Sequence, residues 1–173
     1  MDIYDYIKKD HRAVADLMQQ LLDDRDMQRR RELFARIRKE LLLHIDSEEV
    51  TFYKAIEQAS SAPPVAEKMD HAEDEHQEIR DYLSRLSGLD MHDESWIETF
   101  GEFKHAVSHH VAEEESEVWK KARACLNEAQ AQQLADDMAA VKRDMKAYPS
   151  LPGNMYDKPS RSRPKSLHHG AVV

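Results

Sequence analysis

The chain has few of the residues that sheet proteins and disulfide-bonded proteins require. Its 173 residues include four glycines and a single cysteine, Cys125. One cysteine excludes an internal disulfide and a cysteine-rich metal site. Few glycines and few β-branched residues leave little material for turns and strands. Long stretches rich in Ala, Leu, Glu, Gln, Lys and Arg, which favour helices, predict an all-α fold instead.

The chain also lacks a long apolar run and an excess of positive charge. No segment approaches the about 20 consecutive apolar residues of a membrane span, and the first residues, MDIYDYIKKDHR, contain no apolar signal core. The formal net charge is −9, which disfavours nucleic acid and anionic membranes as partners. We therefore expect a cytoplasmic protein that binds neither nucleic acid nor membranes.

Start and stop signals divide the chain into five predicted helices. Asn127 to Gln130 has the pattern of a capping box, so the fifth helix is predicted to begin there and to end before Pro149. The pattern favours a four-helix bundle with an additional C-terminal helix. The approximate bounds predicted for the first four helices are Asp2–Leu22, Gln28–Ser60, Pro63–Leu86 and Glu94–Ala124.

The C-terminal segment differs in composition from the rest of the chain. From residue 149 to residue 173 it contains four of the six prolines, no helical period, and four basic residues against one acidic residue. This composition predicts a mobile, disordered basic tail after a bundle formed by residues 1–148. We interpret the His168-His169 pair near its end as incidental.

The histidines fall into a repeat. The pattern H-x-x-x-E-E, followed two residues later by an apolar and an aromatic residue, begins at His44 and again at His110. Asp10-His11 lies 33 residues before His44, and Glu75-His76 lies 34 residues before His110. The chain thus reads as two copies of one helical hairpin, which is far more specific than a single H-x-x-x-E.

Helical phase places the repeated residues on inward faces. His11, for example, recurs at helical spacing with Ile7 and Val14. Buried imidazoles and carboxylates cost several kcal/mol each without partners, so a metal site is the main prediction and a polar core network the alternative. The predicted metal ligands are His11, His44, Glu48, His76, His110 and Glu114.

The other histidines of the predicted helices do not share this phase. His71, His105 and His109 fall beside the apolar faces, and we interpret them as solvent-facing. His105 and His109 are one turn apart, and a surface metal pair is the alternative for them. Tyr4 lies two turns from His11 on the inner face, so its contribution to the site stays open, as does that of His71.

Imidazole and carboxylate ligands without thiolate suit iron, manganese or zinc. Two glutamates at equivalent depth on facing helices are placed to bridge two ions. The prediction gives His11 and His44 to one ion and His76 and His110 to the other, with the two glutamates spanning both. A structural zinc ion, which takes four ligands at one centre, fits six ligands at two levels poorly.

These motifs resemble the hemerythrin-like (HHE cation-binding) domain family. The matching residues are Asp10-His11, His44/Glu48, Glu75-His76 and His110/Glu114. The resemblance implies an up-down bundle around a non-heme di-iron centre with an oxo or hydroxo bridge. Oxygen-carrying members have a fifth histidine one turn from the third-helix ligand, whereas the positions one turn either side of His76 hold Ala72 and Arg80.

Three functions are therefore expected, in decreasing order of support. The first is a di-iron protein that binds, senses or reacts with oxygen, peroxide or nitric oxide, because five protein or solvent ligands on each iron leave a sixth position on both. The second is iron storage, delivery or repair. The third is a helical interaction module without metal. The sequence does not decide whether the protein is an enzyme.

Overall fold

The computed structural model describes residues 1–147, and the expected tail lies outside them. Within that range the chain is helical and contains no strand. No helix among these residues combines the length and apolar content that crossing a membrane requires. The helices are α1 (Ile3–Asp23), α2 (Met27–Glu48), α3 (Lys54–Ala59), α4 (Pro63–Gly88), α5 (Glu94–Glu113), α6 (Trp119–Cys125) and α7 (Glu128–Ala147).

Two π-helical turns join helices into longer rods. Glu49–Tyr53 connects α2 to α3, and Glu114–Val118 connects α5 to α6. The four rods of the bundle are thus α1, α2–α3, α4 and α5–α6, and α7 is the additional C-terminal helix. This confirms the predicted up-down four-helix bundle, with α7 packed against α1 and α2.

The helices begin at the predicted capping signals. Asp2 accepts a hydrogen bond from Asp5 N–H at 2.9 Å, and Pro63 occupies the first turn of α4. Asn127 and Gln130 exchange side-chain to backbone hydrogen bonds, both at 2.8 Å. The capping box predicted at α7 is therefore present.

The apolar core forms two layers that lie on either side of the buried histidines. One layer contains Val14 and Met18 of α1, and the other contains Tyr4 and Ile7. His11 falls between them along α1, as the spacing of these residues requires. The α7 helix adds Leu134 and other apolar side chains to the second layer, so it covers the same end of the bundle as the α1 N-terminus.

Candidate metal centre

The six residues predicted as ligands lie together in the interior, and all six are buried. They form two groups, and within each group one ligand atom per residue lies within 4.8 Å of all the others. Both groups include Glu48 and Glu114. The first group is His11, His44, Glu48 and Glu114, and the second is Glu48, His76, His110 and Glu114.

Each shared glutamate directs one oxygen to each group. Glu114 Oε1 lies 3.2 Å from His11 Nε2, and its Oε2 lies 3.5 Å from His110 Nε2. Glu48 Oε2 lies 3.4 Å from His44 Nε2, and its Oε1 lies 3.2 Å from His76 Nε2. Two carboxylates with this orientation are suited to bridging a pair of cations.

Several of these atoms are buried and have no hydrogen-bond partner among residues 1–147. An unpartnered buried polar atom costs free energy comparable to a lost hydrogen bond, or more if charged. Imidazole nitrogens and carboxylate oxygens are ligands for iron, manganese and zinc, so the site fits a pair of such ions. The unpartnered ligand atoms are His11 Nε2, His44 Nε2, His110 Nε2, both oxygens of Glu48, and Glu114 Oε1.

The electrostatics of the two glutamates also favour cations. Burial and the nearby charge of Glu114 together hold the pKa of Glu48 well above its usual range. Burial alone would raise the pKa of Glu114 as well, but the close imidazoles of His11 and His110 lower it. Two buried carboxylates this close carry two negative charges only if positive charge lies beside them.

Carboxylates outside the two groups orient three of the four histidines. Each accepts a hydrogen bond from an Nδ1–H and thereby turns the ring so that Nε2 faces the shared glutamates. Such partners fix the tautomer and raise the basicity of a metal-binding histidine. The pairs are Asp10 with His44 at 2.9 Å, Glu49 with His76 at 3.1 Å, and Glu75 with His110 at 3.1 Å.

The fourth histidine, His11, has a weaker partner. Its Nδ1 lies 3.9 Å from Glu115 Oε1, which is too long for a hydrogen bond. Glu115 and Glu49 both follow a shared glutamate in the E-E doublet of the repeat. The doublet was a signal for this outer role, because its second residue projects about 100° around the helix from the first.

Tyr53 is a site residue that the sequence analysis did not identify. Its hydroxyl donates a hydrogen bond to Glu114 Oε2 and lies 3.3 Å from His76 Nε2. Its ring stacks on His76, with centroids 5.0 Å apart. Burial and the charges of Glu114 and Glu48 hold the pKa of Tyr53 well above its usual range, so the hydroxyl keeps its proton.

The residues left aside or left open by the sequence analysis lie elsewhere. His71, His105 and His109 are exposed, as their helical phase predicted. Tyr4 packs in the apolar layer, edge-on to Phe52 and Trp119, and belongs to neither ligand group.

A small apolar cavity adjoins the two groups. It provides about 10 Å³ of space, which is about enough for one water-sized molecule. The polar side chains at its edge are those of Asp10, the two histidines of the first group and His110. The residues lining it are Asp10, His11, Val14, Leu41, His44, Ile45, Ile79, Val107, His110 and Val111.

Comparisons with known proteins identify the fold and the family. A solved hemerythrin HHE cation binding domain-containing protein from Mycobacterium kansasii superposes with a TM-score of 0.73 at 20% identity, over 90% of this chain and 96% of that one. A DNA nickase from Nostoc sp. is 27% identical over 142 residues, which are 82% of this chain and 39% of the nickase. Residues 2–122 match the profile described as the hemerythrin HHE cation binding domain, and the chain belongs to that family.

Proposed function

We propose that this protein binds two iron ions and reacts with small ligands of the size of oxygen, peroxide or nitric oxide. The observation that carries the proposal is the pair of ligand groups that share two buried glutamates. The proposed ligands are the residues predicted from the repeat: His11, His44, Glu48, His76, His110 and Glu114.

The sharing of Glu48 and Glu114 between the two groups supports a two-ion iron centre over separate structural zinc sites. Each group offers two imidazole nitrogens and two carboxylate oxygens. Four protein ligands complete the tetrahedral shell of a structural zinc ion, whereas six-coordinate iron keeps positions for solvent and for a small ligand. When bound, the two irons would supply redox chemistry and these open positions.

The protein residues around the groups limit what reaches them. The adjoining cavity has room for about one water-sized molecule and is lined mainly by apolar side chains, which favours small molecules over large substrates. Tyr53 holds a proton on its hydroxyl at the edge of the second group and donates it in a hydrogen bond to Glu114. These features support chemistry on small molecules.

The surroundings of His76 support reaction over reversible carriage of oxygen. Arg80, one turn along α4, forms ion pairs with Asp46 at 2.8 Å and with Glu49 at 2.9 Å. Ala72, one turn before, is buried in the apolar core. Neither position supplies a fifth imidazole, so we expect both irons to keep an exchangeable position.

Metal analysis and oxygen exposure test the proposal. Aerobically purified protein should contain about two irons per chain and absorb in the near ultraviolet, as an oxo-bridged iron pair does. After anaerobic reduction, oxygen should restore the oxidised spectrum rapidly. Oxygen that stays bound for hours and is released under vacuum would indicate reversible oxygen carriage instead. Protein that purifies with zinc in place of iron would contradict the proposal.

Iron storage or delivery is a second candidate, favoured by the exposed histidines on the outer side of Glu75. The two functions predict different responses to a mild chelator. A reactive centre should keep its iron for hours, because its ligands are buried. A delivery protein should release most of it within minutes.

We infer that the segment shared with the Nostoc nickase contributes metal binding and not DNA binding. The net charge of −9 repels phosphate groups. Electrophoresis of plasmid DNA with this protein at low salt should show no change in DNA mobility. A shift that disappears with added salt would contradict the inference.

A further inference from the structure

Glu75 has an outward side that the proposed di-iron centre does not use. Its Oε1 accepts the hydrogen bond from His110, while His109 Nε2 lies 3.5 Å and His71 Nε2 lies 3.8 Å from its Oε2. The side chains of His71 and His109 are 56% and 59% exposed. Two exposed imidazoles therefore each lie close to the same carboxylate oxygen at the surface.

The spacing of these three residues is that of a helical metal site. His71 and Glu75 are four residues apart on α4 and project from the same face, and His109 approaches from α5. Paired ligands one turn apart on a helix are a common way to hold a transition metal. The three residues are not among the groups within residues 1–147 whose ligand atoms all lie within 4.8 Å of one another, so the two exposed rings must rotate toward each other to share one ion.

The internal repeat supplies an independent comparison. Asp10 is the counterpart of Glu75, and its Oδ2 accepts hydrogen bonds from both His44 and Lys142. A lysine ammonium thus supplies the cation on the outer side of Asp10. Among residues 1–147, Glu75 pairs with three histidines and with no lysine or arginine. In the equivalent place, the second hairpin presents two nitrogen ligands suited to a cation from solution.

The surface around the three residues is acidic. An open groove between α4 and α5 reaches His109 and is lined in part by Glu78 and Glu102. Glu113, which is paired with Lys68 at 2.6 Å, also lies close enough to His71 and His109 to interact with their charge. Clustered carboxylates raise the local concentration of cations and their rate of arrival.

We propose that His71, Glu75 and His109 form a surface site for a divalent transition metal ion, from which the buried centre is loaded. The loading role rests on the proposed function, because Glu75 connects this site to His110. Metal binding at the surface site does not depend on the proposed function, so the two claims need separate measurements.

Titration with nickel(II) tests the surface site. The full-length protein without an affinity tag, as purified, should bind one more nickel ion than the His71→Ala/His109→Ala double variant, or bind it about 100-fold more tightly. His168 and His169 are present in both proteins, so nickel bound by the tail cancels. The matched control, His105→Ala, should bind like the wild type. Equal binding by the wild type and the double variant, or equal loss in His105→Ala, would overturn the site.

The rate of iron uptake tests the loading role. Apoprotein is mixed with iron(II) without oxygen, stopped with a chelator at set times, and analysed for retained iron. The double variant should load about tenfold more slowly than the wild type and reach the same final content. Equal rates would overturn the loading role alone. If neither protein retains iron, the proposed function fails, while the nickel titration still decides whether the surface site exists.

Discussion

The two hairpins of the repeat present matching histidines in different surroundings. In the first hairpin, Asp10 orients His44 and is itself covered by α7, whose buried Lys142 also lies over the ring of Tyr6. In the second hairpin, Glu75 orients His110 and faces exposed histidines. The fold therefore supplies a lysine ammonium beside Asp10, whereas only exposed imidazoles lie on the outer side of Glu75 in the described part of the chain.

The second glutamates of the two E-E doublets, Glu49 and Glu115, differ in the opposite sense. Glu49 of the first hairpin is held by Arg80, and it accepts a hydrogen bond from His76 of the second. Arg80 lies four residues after His76, and the equivalent position after His11 is Ala15. Glu115 has no such guanidinium from α1 and stays 3.9 Å from His11. An exact repeat of ligands is thus compatible with two unequal metal positions.

The largest expected effect comes from removing what the two halves share. Because Glu48 and Glu114 each direct one oxygen to both groups, Glu48→Ala or Glu114→Ala should remove most of both irons. Elemental analysis of the purified variants measures this, with His105→Ala as a control that keeps its iron. Loss of only one iron per chain would show that the halves hold their ions independently.

The buried cluster of six polar residues and the helices were predictable because both depend on periodicity. The helical phase of the repeated residues places His11 and the other five residues of the two groups on inward faces. The π-helical turns were not predicted, because helical periodicity in the sequence carries a constant phase that a π-helical turn interrupts. Ser47 and Thr51 carry a local signal for the first turn, since their hydroxyls donate to carbonyls four residues back at 2.6 Å, which bends helices.

The roles of Tyr53 and Lys142 were not predicted, because each depends on a feature that local helical periodicity does not show. Tyr53 is the last residue of the first π-helical turn, whose extra residue rotates the following positions by about 100°. Lys142 meets Asp10 across 132 residues of sequence, and a lysine in an amphipathic helix ordinarily belongs to its solvated face. Only the packing of α7 against α1 turns it inward.

The second largest effect is expected from removing the guanidinium of Arg80. Arg80→Met removes the ion pairs with Glu49, so His76 loses the support of its carboxylate partner. We expect iron affinity of the second group to fall by about 10- to 100-fold, as other outer-shell losses do. Competition with a chelator of known affinity measures this. Arg80→Lys should retain part of the affinity, and equal affinities in all three proteins would contradict the role of Arg80.

A smaller effect is expected from removing the ammonium of Lys142. Lys142→Met leaves Asp10 paired with His44 alone, so the first group should bind iron about tenfold more weakly. The exposed Lys146 on the same helix gives the matched control, Lys146→Met. Chelator competition on both variants separates a local effect of the ammonium from a general loss of helix charge. Equal affinities in the two variants would mean that α7 does not influence the metal.

A separate effect concerns the stability of the iron-free protein. Burial alone would raise the pKa of Glu49, but hydrogen bonds with His76 and Arg80 lower it to about 2. A carboxylate whose pKa is lower in the folded state stabilises the fold above its unfolded pKa of about 4.5. That contribution, about 3 kcal/mol for one such shift, is lost as the pH falls toward 2.

The comparison of Arg80→Met with the wild type should therefore depend on pH in the iron-free state. At pH 7 the variant should be less stable, because Glu49 stays charged without its guanidinium. Between about pH 4.5 and pH 2 the difference should shrink, because protonation of Glu49 in the wild type removes the same ion pair. Urea unfolding at several pH values measures the free energy of unfolding. A difference that stays constant down to pH 2 would show that Arg80 stabilises the fold by packing and not through the charge of Glu49.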